Sequence, residues 1–348
     1  MKKSFSLLLF IAIAPLHSHA AIKITDNFSV SGFGSASITQ SDNKTPLFVH
    51  REITDKTCYD CDTIFGLQAD LVITDTFNTS IQVVKRPQDD WSDPEIEWAY
   101  LAYNDNNWSF KGGRLRLPLF LASEYYYVGQ AYTWARPPQE VYDSILGFTF
   151  YDGLSLHWDY ALSDEAILTI SPYYGSSKKY KTELGNDELL FDAERVTGIS
   201  FDVNGFNFRV HAGYMYADFN MLPEPTYDRL NMYTLGAEYS FKQWLFMSEL
   251  ETDNLQTSWY FSSAYHFDQF TPYLVYGESH HRRKSNNLTA GLRLDLTNSV
   301  SINAEWQNIF MGQEDYNSGS MGQFITSPTL NNESKDVQLY TLMLNFVF

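Results

Sequence analysis

Apolar side chains recur at every second position over much of this chain. Phe65, Leu67, Ala69, Leu71 and Ile73 share one face, with Gln68 and Asp70 between them. Ile96, Trp98, Tyr100 and Ala102 form a similar set beside Glu95 and Glu97, and Leu154, Leu156, Trp158, Tyr160 and Leu162 alternate with Ser155, His157 and Asp159. The pattern returns at Phe206, Phe208, Val210, Ala212 and Tyr214, at Trp259, Phe261, Ser263, Tyr265 and Phe267, and at Leu288, Ala290, Leu292, Leu294 and Leu296. Successive strand residues point to opposite sides, so a period of two predicts strands with one apolar and one polar face. Each segment runs for about 9–11 residues, the length of a tilted membrane strand.

The connections alternate in length. Short ones fall at Thr74-Asp75-Thr76, Asn104-Asp105-Asn106, Ser163-Asp164-Glu165, Asn204-Gly205, Lys242-Gln243, Asp268-Gln269 and Thr297-Asn298-Ser299. Long or polar ones fall near 40–62, 87–94, 117–144, 175–194, 218–230, 280–286 and 310–335, with a tight hairpin at Asp253-Asn254. Alternating short turns and long loops characterise outer-membrane barrels. The fold expected is therefore all-β, an antiparallel transmembrane β-barrel of about sixteen strands, wide enough for a water-filled lumen.

Composition agrees. The chain has 24 Tyr, 25 Phe and 8 Trp within a polar mean hydropathy of −0.30, as expected if one face of each strand meets lipid between aromatic girdles while the other meets water. The apolar runs beyond residue 20 are too short for a membrane helix. A formal net charge of −18 argues against nucleic-acid binding, which needs a basic footprint. At the start, Met1-Lys2-Lys3, an apolar run to Leu16 and small residues at Ser18 and Ala20 lay out a secretory signal peptide over 1–20, leaving 21–348 as the barrel. The last residues, Tyr340, Leu342, Leu344, Phe346 and Phe348, alternate to the end. Such a closing strand suits an assembly signal at Phe346 and Phe348 for the barrel assembly machinery. Cys58 and Cys61 are expected to form a small loop disulfide in an exported protein; a redox or metal role is the alternative.

Candidate chemistry gathers after Gly112-Gly113. Trp108 and Phe110 share one parity, whereas Leu115 and Leu117 take the other, so a glycine bulge is expected to turn Arg114 and Arg116 away from lipid. Beyond Pro118, a loop this rich in aromatics must bury them, and the barrel lumen is the natural place. The expected constriction comprises Arg114, Arg116, Glu124, Tyr125, Tyr127, Trp134, Arg136 and Glu140; Glu97, His157, Arg209, His211 and Arg293 are expected to line the lumen. His280-His281-Arg282-Arg283-Lys284 either meets lipopolysaccharide phosphates from an outer loop or is a solvated face. No hydrolase elbow, zinc-binding His-Glu-x-x-His or phosphate-binding glycine loop is present in the sequence.

The run GRLRLPLFLASEYYYVGQAYTWARPPQEVY, Gly113 to Tyr142, resembles the third-loop region of gammaproteobacterial outer-membrane porins, a group distantly similar to phosphate-selective porins. The resemblance implies a sixteen-stranded, trimeric channel with this loop at its constriction. Phosphate-selective members carry an arginine ladder; here Arg86, Arg114, Arg116, Arg136, Arg209 and Arg293 are scattered among carboxylates. The expectation is a passive pore for small hydrophilic solutes, embedded in outer-membrane lipid and lipopolysaccharide, without metal or cofactor. A barrel enzyme such as a lipid hydrolase, and a non-conducting structural or adhesive barrel, are the alternatives.

Overall fold

The computed structural model describes residues 21–87, 93–144, 149–184, 187–222, 226–281 and 283–348. The signal segment 1–20 and Arg282 lie outside them. β1 (Ile22–Lys23) is a short addition to β2 (Phe28–Ser41). The wall continues through β3 (Ile64–Val72), β4 (Phe77–Lys85), β5 (Glu95–Asp105), β6 (Trp108–Arg116), β7 (Phe150–Ser163), β8 (Ala166–Leu184) and β9 (Asp187–Gly205). It is completed by β10 (Phe208–Leu222), β11 (Thr226–Phe241), β12 (Trp244–Thr252), β13 (Gln256–Tyr265), β14 (Phe270–His281), β15 (Ser285–Thr297), β16 (Val300–Phe310) and β17 (Val337–Val347). Each strand pairs antiparallel with the next, and β17 pairs back onto β2 from Leu339 opposite Ser41 to Val347 opposite Phe33. β2 to β17 thus close a sixteen-stranded barrel in which each of these strands is paired on both sides.

The two faces differ as a membrane barrel requires. Leu67, Leu71, Ile81, Leu154, Leu235, Leu274 and Leu342 are exposed on the outside, whereas Ser37, Thr39, Gln82, Thr234, Asn303, Gln307 and Thr341 are buried within. Trp108 stacks on Trp158 and Trp244 meets Tyr265 edge-on near the short turns, where one aromatic girdle belongs. At the seam, Gly32 exchanges both backbone hydrogen bonds with Phe348 at 2.9 Å. The rings of Phe348 and Phe346 cover Gly32 and Gly34, where any Cβ would collide with them.

Four expectations need correction. The segments 175–194 and 218–230 are not loops: β8 and β9 are 19 residues each, and β10 and β11 run almost to 223–225. At roughly 3.3 Å per residue these strands outrun an apolar band of about 25 Å. Beyond that band nothing requires an apolar face, so the alternation stops although the pairing does not.

The second concerns β5. Its ladder with β4 shifts between Gln82 and Val83, leaving Glu97 as the extra residue. Ile96 therefore faces out, while Trp98, Tyr100 and Ala102 turn inward and Leu101 and Tyr103 take the lipid side.

The third is the expected slip at Gly112-Gly113. Both neighbouring ladders run through these residues in unbroken register. Gly113 has φ of +136° and a Cβ there would lie 2.3 Å from the Ala99 carbonyl oxygen, so the glycine serves close strand approach rather than a bulge. Arg114 consequently stays on the outer parity, where a bidentate pair with Asp152 at 2.9 and 3.1 Å neutralises it. The fourth is Arg283, which is buried and donates to the carbonyls of Gly322 and Phe324 rather than facing lipid phosphates.

Candidate functional site

The described part of the loop between β6 and β7, residues 117–144, crosses the inside of the barrel. Pro118 ends the strand, and Pro137-Pro138 leads into the single turn α1 (Gln139–Tyr142), all four residues of which are buried. Leu117, Leu119, Leu121, Trp134, Val141 and Tyr142 pack against Met215, Met232, Met247, Tyr260 and Val275 of the far wall. The lumen therefore contains an apolar core, which accounts for the aromatic content of the loop.

Polar groups of the wall capture the loop's backbone. Glu249 on β12 accepts from Leu121 N at 2.6 Å, Tyr142 OH at 2.6 Å and Tyr260 OH at 2.7 Å. Glu305 on β16 accepts from Ala135 N at 3.1 Å and Tyr273 OH at 2.9 Å. Trp134 Nε1 donates to Ser262 Oγ at 2.9 Å, and Asn303 Nδ2 donates to the Thr133 carbonyl at 2.7 Å.

Two buried ionic clusters fix the loop's roots. Asp62, from the loop after β2, accepts from Arg51 Nε at 2.6 Å and Arg136 Nη1 at 2.8 Å, and Arg136 also reaches Glu305 at 3.5 Å. Burial would raise the Asp62 pKa, but the guanidiniums of Arg136 and Arg51 outweigh it and hold the carboxyl below its usual range. On the other side, Glu97 joins Arg86 and Arg116, the latter at 2.8 Å. The long loop after β2 adds Leu47, Phe48 and Ile53 to a core shared with Phe324 of the last loop, and Arg51 donates to Gln139 at 3.0 Å. Three loops thus interlock at the mouth. Cys58 and Cys61 are disulfide-bonded in the first of them, so neither sulfur is left as a metal ligand.

Beside the crossing loop, a chamber of about 510 Å³ remains open against the β2–β8 wall. The wall contributes Gln68, Gln82, Trp98, Tyr100, Lys111 and His157. The loop contributes Glu124 and Tyr125, with Arg116 at its root. A second space of about 280 Å³, on the β11–β15 side, is lined by Tyr125, Tyr132, Glu238, His266 and Arg293.

The expected site residues separate accordingly. Arg116, Glu124, Tyr125 and His157 line the larger chamber, and Arg293 lines the smaller. Tyr127, Trp134, Arg136 and Glu140 are buried in loop docking. Arg209 and His211 face inward but hold the carbonyls of Leu121 and Leu119, both at 2.9 Å, and Glu97 is fully buried. Arg114 is outside. The sequence reading missed Trp98, Tyr100, Tyr151 and Tyr173 as lining residues, and Asp62, Glu249 and Glu305 as anchors. For Tyr151 and Tyr173 the signal was available: they share the parity of Ser155, His157 and Ser171 on strands whose other face is apolar.

Glu140 carries a measurable consequence. It is 2% exposed. Burial, opposed by hydrogen bonds from its own backbone and Asn287 and aided by Asp143, pushes its pKa up from 4.5 to about 7. A raised carboxyl pKa means the folded state holds the proton more tightly, so stability should fall as pH rises from about 4.5 to 7 and stay low above. Glu140→Gln should remove that fall, stabilising the barrel at pH 8 by on the order of 3 kcal/mol while changing little at pH 4. Urea unfolding at both pH values checks this; equal gains at the two would show that ionisation is not the cause.

No family model and no curated protein matches the chain. Its fold is that of the porins. Salmonella typhi OmpF aligns with a TM-score of 0.61 at 12% identity over 94% of this chain and 100% of that one. The anion-selective porin from Comamonas acidovorans aligns with 0.60 at 9% identity over 92% and 99%. In-vitro folded OmpT of Vibrio cholerae, in its trimer form, aligns with 0.57 at 12% identity over 93% and 100%.

Proposed function

We propose that this protein is an outer-membrane channel through which small hydrophilic solutes diffuse passively, with the loop 117–144 setting the constriction. The observation that carries the reading is the loop's course: it crosses the lumen, is anchored to the opposite wall, and leaves a polar and aromatic chamber beside it. The porin fold of a closed sixteen-stranded barrel supports it. The reading includes export by a signal peptide cleaved after Ala20, insertion by the barrel assembly machinery through Phe346 and Phe348, and assembly as a homotrimer, in keeping with the trimer form of the Vibrio cholerae protein. Kinship with phosphate-selective members finds little support, because Arg114 faces out and Arg136 is consumed by Asp62 and Glu305.

An enzymatic role fits less well. His157 lies between Ser155 Oγ at 3.3 Å and Ser171 Oγ at 2.8 Å, but Ser155 sits inside a ladder paired on both sides. Its backbone donors are committed to neighbouring strands rather than gathered into an oxyanion site.

Single-channel recording of the refolded chain in planar bilayers tests the proposal. Stepwise openings whose conductance scales with salt are expected, and a folded barrel that never conducts would refute it. Reversal potentials in a salt gradient test the lining. Lys111→Gln should shift permeability toward cations and Glu124→Gln toward anions, whereas Arg114→Gln should shift neither, because its charge lies outside the lumen. A change with Arg114→Gln as large as that with Lys111→Gln would mean the lining is wrongly assigned.

A further inference from the structure

We propose that the larger chamber is a binding subsite for neutral saccharides, a substrate class that rests on the channel reading and narrows it. A space of about 510 Å³ falls within the ~300–1,000 Å³ of small-molecule sites. Its lining pairs aromatic surface with neutral hydrogen-bonding groups. Trp98, Tyr100 and Tyr125 are half-buried at its edge, and Tyr151 and Tyr173 stand behind them. Trp98 already spends its indole N–H on Ser80 Oγ at 3.0 Å, so what it has left for a solute is ring surface. A pyranose carries apolar C–H groups on its faces and hydroxyls around its rim, and amphipathic aromatics suit such a solute.

The hydroxyl rim would meet two neutral sets. Gln82 Nε2 donates to Gln68 Oε1 at 3.0 Å, and Gln68 Nε2 is held by the Asp70 carboxylate at 2.9 and 3.1 Å, so the Gln82 carbonyl oxygen is the group of this pair left to face a solute. Ser155, His157 and Ser171 form a hydrogen-bonded row on the neighbouring wall.

The charges disfavour simple ions of either sign. Arg116 pairs with Glu97 at 2.8 Å and lies over the Tyr127 ring, while Arg86, which shares Glu97, has Glu95 at 3.1 Å as a second partner, so the four charges balance. Lys111 and Glu124 are then of opposite sign on one chamber, Lys111 sitting 5.2 Å over the Tyr100 ring. A simple anion meets Glu124 and a simple cation meets Lys111, while a neutral polyol meets neither penalty.

The test uses the full mature chain, refolded in a zwitterionic detergent without a sugar headgroup. Saturation-transfer NMR with maltose reads binding without requiring conduction. Transfer from protein to the sugar's ring protons is expected. Trp98→Leu and, separately, Tyr125→Leu on the loop should each weaken maltose binding by about tenfold. Gel mobility before and after heating confirms that each variant folds, and having one on the wall and one on the loop covers a failure of either. Maltose should also reduce single-channel current saturably. No transfer to maltose with wild type overturns the subsite while steady conductance preserves the channel. Transfer without any conductance sinks the channel and leaves the subsite. Binding that survives both substitutions, or binding of glycine in preference to maltose, overturns the assignment.

Discussion

Asp62→Ala should loosen the constriction and produce a larger, noisier conductance together with a less stable barrel. The wild-type carboxylate receives Arg51 from its own loop and Arg136 from the crossing loop, and Thr39 Oγ1 donates to it at 3.0 Å. All these side chains are almost wholly buried. Removing one partner of a buried ionic cluster leaves uncompensated charge, a loss of about 3–5 kcal/mol. Here two guanidiniums lose their counter-ion together, although Arg136 keeps Glu305 and Thr341. Arg51 also links the first loop to Gln139, so the mouth and the constriction should loosen together. Because the Asp62 pKa is depressed, the stability it supplies is present above the ordinary carboxyl range and is lost only as pH falls through its lower folded value. The wild type should therefore imitate the variant only in strong acid. Asp62→Asn, which keeps the shape and drops the charge, should fall between them. Unchanged current noise and an unchanged unfolding midpoint for Asp62→Ala would show that the cluster does not hold the loop.

The barrel was legible because lipid enforces a strict code. Outward residues within the apolar band are predominantly hydrophobic, so Leu154 to Leu162 or Leu288 to Leu296 declare both strand and orientation. The code fails where lipid no longer imposes it. Above the band, β8 and β9 carry on as paired strands through residues such as Lys178, Lys179 and Lys181, which read as a loop. It fails again where one residue changes phase: the extra residue Glu97 turns Trp98 and Tyr100 into the lumen, and aromatic residues are acceptable on either face of this wall.

The candidate site was only half legible for a related reason. The aromatic excess of 120–134 required burial, and that much located the loop inside. Which charges stay free depends on partners far away in sequence. Arg136 finds Asp62 and Glu305, Arg209 finds the Leu121 carbonyl, and Arg293 finds those of Gln130 and Tyr132. Each is an inward-facing arginine spent on holding the loop. Lys111 has no special setting in sequence, yet its strand places it opposite that loop.

Glu249→Leu should release the first half of the crossing loop and leave the second half anchored. The carboxylate gathers one backbone N–H and two phenol hydroxyls in a site where it is itself 2% exposed. Leucine strands all three donors without water to replace the acceptor, and each buried unsatisfied donor costs about 1–3 kcal/mol, with the losses not strictly additive. Tyr142 also accepts from Ala122 N at 3.1 Å, so its displacement should carry Leu121 and Ala122 along. Trp134, Thr133 and Ala135 keep Ser262, Asn303 and Glu305, which should hold the rest of the loop in place. Tyr125 lies just beyond the freed stretch and walls both lumenal spaces, so the two should merge. The measurement is single-channel conductance and maltose block on the same refolded sample. Higher conductance with weaker block is expected, whereas Glu305→Leu should disturb the second half and spare the block in comparison. If Glu249→Leu lowers stability but leaves both current and block as in the wild type, the loop is held by its apolar packing against the wall, and the carboxylate serves only the fold.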